Sequence, residues 1–142
     1  MKKLLLVCCA LVSLSSIACP NLAGSYSCSE VSGYGTETYL MDIAQSGNEF
    51  TTSTDGAASE ILVADGVSRQ FSTPEVSGTF IASCTAAAVV VEVNAQVKDP
   101  SGNVVHVVQS SNMSKGGSTL MIKANSTAYG QTFTSTTTCT LN

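Results

Sequence analysis

Two patterns of apolar and polar residues divide this chain. Leu4 to Leu14 is an almost unbroken apolar run without a charge, behind the basic pair Lys2-Lys3. From Leu22 onward the pattern changes to short stretches in which apolar and polar residues alternate, separated by Gly, Asn, Asp and Pro. A period of two belongs to a strand, whose successive side chains point to opposite faces, and no stretch keeps a helical period. The clearest case is Val89, Val91, Val93, Ala95 and Val97, with Glu92, Asn94, Gln96 and Lys98 among the residues between them.

Strands are predicted over residues 22–29, 36–45, 49–54, 60–64, 67–72, 79–85, 89–97, 104–110, 118–125 and 132–141. The inward faces are read as Leu22, Gly24, Tyr26 and Cys28; Tyr39, Met41 and Ile43; Phe80, Ala82 and Cys84; and Leu120, Ile122 and Ala124. In the last stretch, Phe133, Ser135, Thr137, Cys139 and Leu141 share one face. Thr132, Thr134, Thr136, Thr138 and Thr140 share the other and suit an outward, hydrated sheet surface. Gly47-Asn48 and Asp65-Gly66 read as hairpin turns, because these residues tolerate positive φ. Residues 31–35 and 73–78 read as loops.

Nine or ten short strands joined mostly by hairpin-length turns make an all-β meander. Such a meander removes its exposed edges by closing on itself, which predicts a small antiparallel barrel of 8–10 strands. The alternative is a β-sandwich. An immunoglobulin-like one would need longer crossovers and usually has a core Trp, which this chain lacks.

The basic pair, the apolar run and the small residues Ser16 and Ala18 form a secretory signal, too short to span a membrane. The domain division is therefore 1–18, signal peptide, and 19–142, β-barrel. Loss of Lys2 and Lys3 would leave four basic residues against ten acidic ones. Scattered cations on an acidic chain offer no electrostatic footprint for nucleic acid.

Cleavage after Ala18 admits two outcomes. A general signal peptidase leaves Cys19 as an ordinary residue. A lipoprotein peptidase leaves it diacylated, since Ser16-Ile17-Ala18-Cys19 resembles a bacterial lipobox with Ser16 in place of the usual Leu. Only that lipid anchor would tie the protein to a membrane. Cys8 and Cys9 would leave with the signal, so Cys19, Cys28, Cys84 and Cys139 are the disulfide candidates of an exported, oxidised protein. Three pairings are open. Barrel closure would bring the end of the last strand to the start of the first, which predicts Cys19–Cys139 and Cys28–Cys84.

Little points to catalysis. His106 is the sole histidine, and no Gly-x-Ser-x-Gly elbow surrounds a serine. The cysteines lack the close spacing of a zinc site. No enzymatic activity, metal or cofactor is expected.

Leu22-Ala23-Gly24-Ser25-Tyr26 resembles the first strand of lipocalin-like (calycin) barrels, in which a Gly precedes an aromatic residue that plugs the closed barrel end. Residues 19–28 also resemble the opening of small exported bacterial β-proteins, and the avidin group begins in a similar way. Tyr26 stands where these families usually carry Trp, and biotin sites are walled by indoles that this chain does not have. The resemblance implies a barrel that binds a small apolar ligand, with Tyr26, Tyr39, Met41, Phe80 and Phe133 as lining candidates. The competing expectation is that such residues fill the core and that the protein is a structural or interaction component of the cell envelope.

Overall fold

A computed structural model describes residues 18–142. The proposed leader falls, apart from Ala18, outside those residues. Ten strands follow one another without an intervening helix: β1 (Gly24–Ser32), β2 (Gly35–Ser46), β3 (Glu49–Thr54), β4 (Glu60–Val63), β5 (Ser68–Ser72), β6 (Val76–Cys84), β7 (Ala88–Lys98), β8 (Val104–Gly116), β9 (Thr119–Ala128) and β10 (Gln131–Leu141). All pairings are antiparallel and form one sheet in the order β4-β3-β2-β1-β10-β9-β8-β7-β6-β5.

Each sequence stretch read as a strand is one, and most are longer than the alternation alone suggests. The two segments read as loops are shorter. Val31 and Ser32 extend β1, leaving Gly33-Tyr34 as a two-residue turn; Val76 already begins β6. In the two-residue turn Tyr129-Gly130 both residues have positive φ, 52° and 71°. That backbone matches the right-handed twist of the flanking strands.

The sheet order contains the main topological finding. First and last strands pair, with Cys28 opposite Cys139 and Ser32 opposite Ser135. The meander therefore joins its ends, as barrel closure requires. It opens instead between β4 and β5, which are consecutive in sequence but lie at opposite edges of the sheet. The result is a curled half-barrel. Asp65-Gly66 does not turn a hairpin, contrary to the sequence reading. Asp65 accepts the backbone N–H of Val67 at 3.0 Å and both terminal nitrogens of Arg69 at 2.8 and 2.7 Å. Gly66 donates across the seam to the carbonyl of Ala82 at 2.8 Å, and Ala64 donates to Asn48. Those bonds carry the chain from one sheet edge to the other.

The disulfide pairing also differs from the expectation. The bridges are Cys19–Cys84 and Cys28–Cys139. The β1–β10 pairing was anticipated, but β10 ends opposite Tyr26, so Cys139 meets Cys28 and never reaches Cys19. Cys19 precedes β1 and spans the open seam to the end of β6.

The core sits at one end of the half-barrel. Leu22, Tyr26, Cys28, Ile43, Phe50, Ala64, Ala82, Val89, Leu120 and Cys139 form a buried cluster, with Tyr39, Met41, Met113 and Ile122 packed against it. Burying a large side chain of this kind stabilises the fold by about 1.5–3 kcal/mol. Tyr26 is fully buried at the centre and donates its hydroxyl to the Leu22 carbonyl at 2.7 Å. The Lys115 ammonium lies 5.4 Å from the ring centroid and donates to the Ala23 carbonyl at 3.2 Å. Two of these contacts fix the aromatic residue, and the Lys115 bond to Ala23 ties β8 to the segment before β1.

Candidate functional site

On β9 the inward side chains shrink from the closed end, whereas the β10 series runs on past Ser135 to the large Phe133 and the β8 series to Val107 and the buried Val105. Along β9 the series is Leu120, Ile122, Ala124, Ser126; along β10 it is Cys139, Thr137, Ser135. Register aligns these series across strands. Cys28, Cys139, Leu120 and Lys115 form one inward row; Glu30, Thr137, Ile122 and Met113 the next; Ser32, Ser135, Ala124 and Ser111 the third. Large side chains fill the lower rows. The third row has only small ones.

Beside that row, where β1, β9 and β10 end, lies an open pocket of about 440 Å³ that also takes in Thr132 and Thr134 of the outer face. Glu30 and Ser32 enter it from the end of β1, Tyr34 from the β1–β2 turn, Ser126 from β9, and Phe133 and Ser135 from β10. Tyr34 and Phe133 stack with centroids 6.4 Å apart and planes 20° from parallel. The two-residue turns at Gly33-Tyr34 and Tyr129-Gly130 place these strand ends side by side. The pocket combines an aromatic wall, several hydroxyls and one carboxylate. Such a mixture can bind and orient a small molecule, but it contains no nucleophile paired with a base. Among the described residues no three His, Cys, Asp or Glu side chains group as a metal site would require.

The sequence-predicted lining residues go to different places. Tyr26 is sealed in the core, and Tyr39 and Met41 pack against it. Phe80 lies on the inward face of β6 beside Phe71, with ring centroids 6.3 Å apart. Phe133 alone lines the mouth pocket. Glu30, Ser32, Tyr34, Ser126 and Ser135 were not singled out. The decline in inward side-chain size along β9 is visible in the sequence once the register is known, but the register is not.

A second cleft, of about 1000 Å³, surrounds the seam at the closed end. Cys19, Gln45, Asp65, Gly66 and Cys84 are among its lining residues. His106 lies on the outer face, exposed, its Nε2 2.6 Å from Asn94 Oδ1. Thr132, Thr134, Thr136, Thr138 and Thr140 are all exposed on the outer face of β10.

Electrostatic perturbations are local to turns. Hydrogen bonds from Arg69 and the Val67 N–H hold the Asp65 carboxyl far below the usual carboxylate range. Asp99 is lowered by the Asn103 side-chain amide first, then by backbone N–H groups of its own loop. Neither group lies at the mouth.

Comparison with known proteins finds no match: no family model, no curated protein and no solved structure is similar to the chain.

Proposed function

We propose that this protein is a non-catalytic, exported half-barrel that holds a small ligand at its mouth. The observation that supports the reading is the pocket walled by Tyr34 and Phe133 above a filled core. A small barrel with no binding role would pack its inward rows from end to end. Here the third row carries only small side chains on β1, β10, β9 and β8, and larger ones return beyond it at Phe133, Gln109 and Val93. The ligand presents an apolar or ring-bearing face to the aromatic pair and hydrogen-bonds to Ser32, Ser126 or Ser135. The lipocalin-like resemblance of Gly24-Ser25-Tyr26 points the same way, with Tyr26 as the plug of the closed end and the ligand at the other.

Two disulfides fit an oxidising compartment outside the cytoplasm. Export by the residue 1–18 signal accounts for them. The test of the binding reading is a titration followed by amide chemical shifts. Phenethyl alcohol, a neutral ring-bearing probe, is expected to shift Ser32, Ser126, Phe133 and Ser135. Replacing Phe133 with Ala should abolish those shifts. An absence of any mouth perturbation at millimolar probe would remove the binding reading.

The second reading, an envelope interaction protein, draws on the exposed threonine row. Ser27 and Ser29 of β1 extend it sideways by pairing with Thr140 and Thr138. Loss of envelope association on replacing Thr134, Thr136 and Thr138 with Glu, in a protein that still folds, would favour it over the mouth.

A further inference from the structure

We infer that the mouth pocket selects a small organic cation carrying an apolar ring, an arylalkylammonium being the simplest type. This deepens the binding reading above and rests on it. The starting point is Glu30. It sits in the mouth pocket, half-buried, on the inward side of β1. Its cross-strand neighbour on β2 is Glu37. Glu37 lies on the same side of β2 as Tyr39 and Met41, which pack against the core. Two carboxylates directly opposite on one face disfavour strand pairing, and sheets normally avoid the arrangement.

No group among the described residues offsets that repulsion. Among the described residues, no salt bridge and no hydrogen bond reaches either carboxylate; the ion pair present is Arg69–Asp65, at the β4–β5 crossing. Lys115 is held at the closed end over Tyr26. Lys123 lies on the outer face, opposite Thr136. A positive group supplied from outside would meet the Glu30 carboxylate in the pocket, with Glu37 exposed on the neighbouring strand.

The aromatic pair gives an independent reason for the same charge. Ring faces carry negative potential and attract cations, organic ammonium groups in particular. Tyr34 and Phe133 present two nearly parallel rings at the pocket that holds Glu30. An ammonium group between the rings and the Glu30 carboxylate meets both attractions. The ring on the same ligand covers apolar surface, and the serine hydroxyls accept its remaining N–H donors. A pocket of about 440 Å³ suits a molecule of this size.

The experiment compares three probes with one ring and different charge at pH 7: phenethylammonium, phenethyl alcohol and phenylacetate. Amide shifts at Ser32, Ser126, Phe133 and Ser135 give each affinity. The ammonium is expected to bind about tenfold more tightly than the alcohol, and phenylacetate least. Glu30→Gln, which keeps the side-chain shape, should bring the ammonium down to the alcohol's affinity. Glu37→Gln should reduce the preference by a smaller factor. Equal binding of all three probes would overturn the cation inference and leave the mouth reading standing. A full ammonium preference in the Glu30→Gln, Glu37→Gln double variant would likewise overturn it. No perturbation by any probe would overturn both.

Discussion

Tyr26 shows how much one side chain does at the closed end. Its ring fills the centre of the core and its hydroxyl satisfies the Leu22 carbonyl. Tyr26→Phe keeps the ring and removes the bond, so it should cost about 1–2 kcal/mol in urea unfolding. Tyr26→Ala should cost about 3–5 kcal/mol because it also leaves a cavity. A Phe variant as stable as the parent would show that the hydroxyl contributes nothing. Asp65 and Asp99 make the pH prediction. Both have lowered folded-state pKa values, so their contribution is present above the ordinary carboxylate pKa and is lost as pH falls through the lowered one. Unfolding midpoints should stay flat from neutral pH to about pH 5 and fall below about pH 4. In Asp65→Asn, Asp99→Asn the acid slope should flatten. Tyr26 and its inward direction were legible in the sequence from alternation alone. The partner Lys115 was not, since a contact between β8 and the segment before β1 has no local signature.

The strands divide into pairs that the turns decide and pairs that they do not. Where two residues separate two alternating stretches, as at Gly47-Asn48 or Tyr129-Gly130, turn geometry fixes register. Asp65-Gly66 carries the same signal and does something else, because the Arg69 fork and the Ala82 carbonyl capture its polar groups. A dipeptide preference of tenths of a kcal/mol yields to several such bonds. At the seam the closing element is a cross-link. Cys19 and Cys84 are partly exposed and line the large cleft, whereas Cys28 and Cys139 are buried within the β1–β10 ladder. Mild reductant with alkylation and peptide mapping should therefore label Cys19 and Cys84 first. Cys19→Ser, Cys84→Ser should lose about 2–4 kcal/mol, with faster amide exchange at Gly66 and in β4 while β8–β9 stay protected. Labelling of Cys28 and Cys139 at the same rate would contradict the burial argument.

For the molecule as a whole, the Cys19 sulfur decides between two mature forms. A sulfur bonded to Cys84 has no valence left for a lipid thioether. Intact mass of the exported protein is expected to show an unmodified Cys19 amine and two bridges. An added diacylglyceryl mass would come with a free Cys84 thiol and an unlocked seam. The half-barrel also has two ends of different character, a filled one fixed by Tyr26 and a mouth lined by small residues and an aromatic pair. The seam bridge needs an oxidising compartment, and the seam in turn holds the curl that keeps the mouth strands together.

Alternation along the chain determined the ten strands and which side of each faces inward, because a strand's two faces are set by its own backbone. Composition and the leader pattern determined the expectation of an exported, disulfide-bonded protein. The tertiary structure decided everything that depends on which strands become neighbours. It opened the sheet at β4–β5, moved Cys139 to Cys28 and Cys19 to Cys84, and separated Tyr26, Tyr39 and Met41 from Phe133. It also set Glu30 against Glu37 and Tyr34 beside Phe133. Pairing between residues as distant as Cys28 and Cys139 rests on the summed fit of whole faces, and no short stretch of sequence contains that sum.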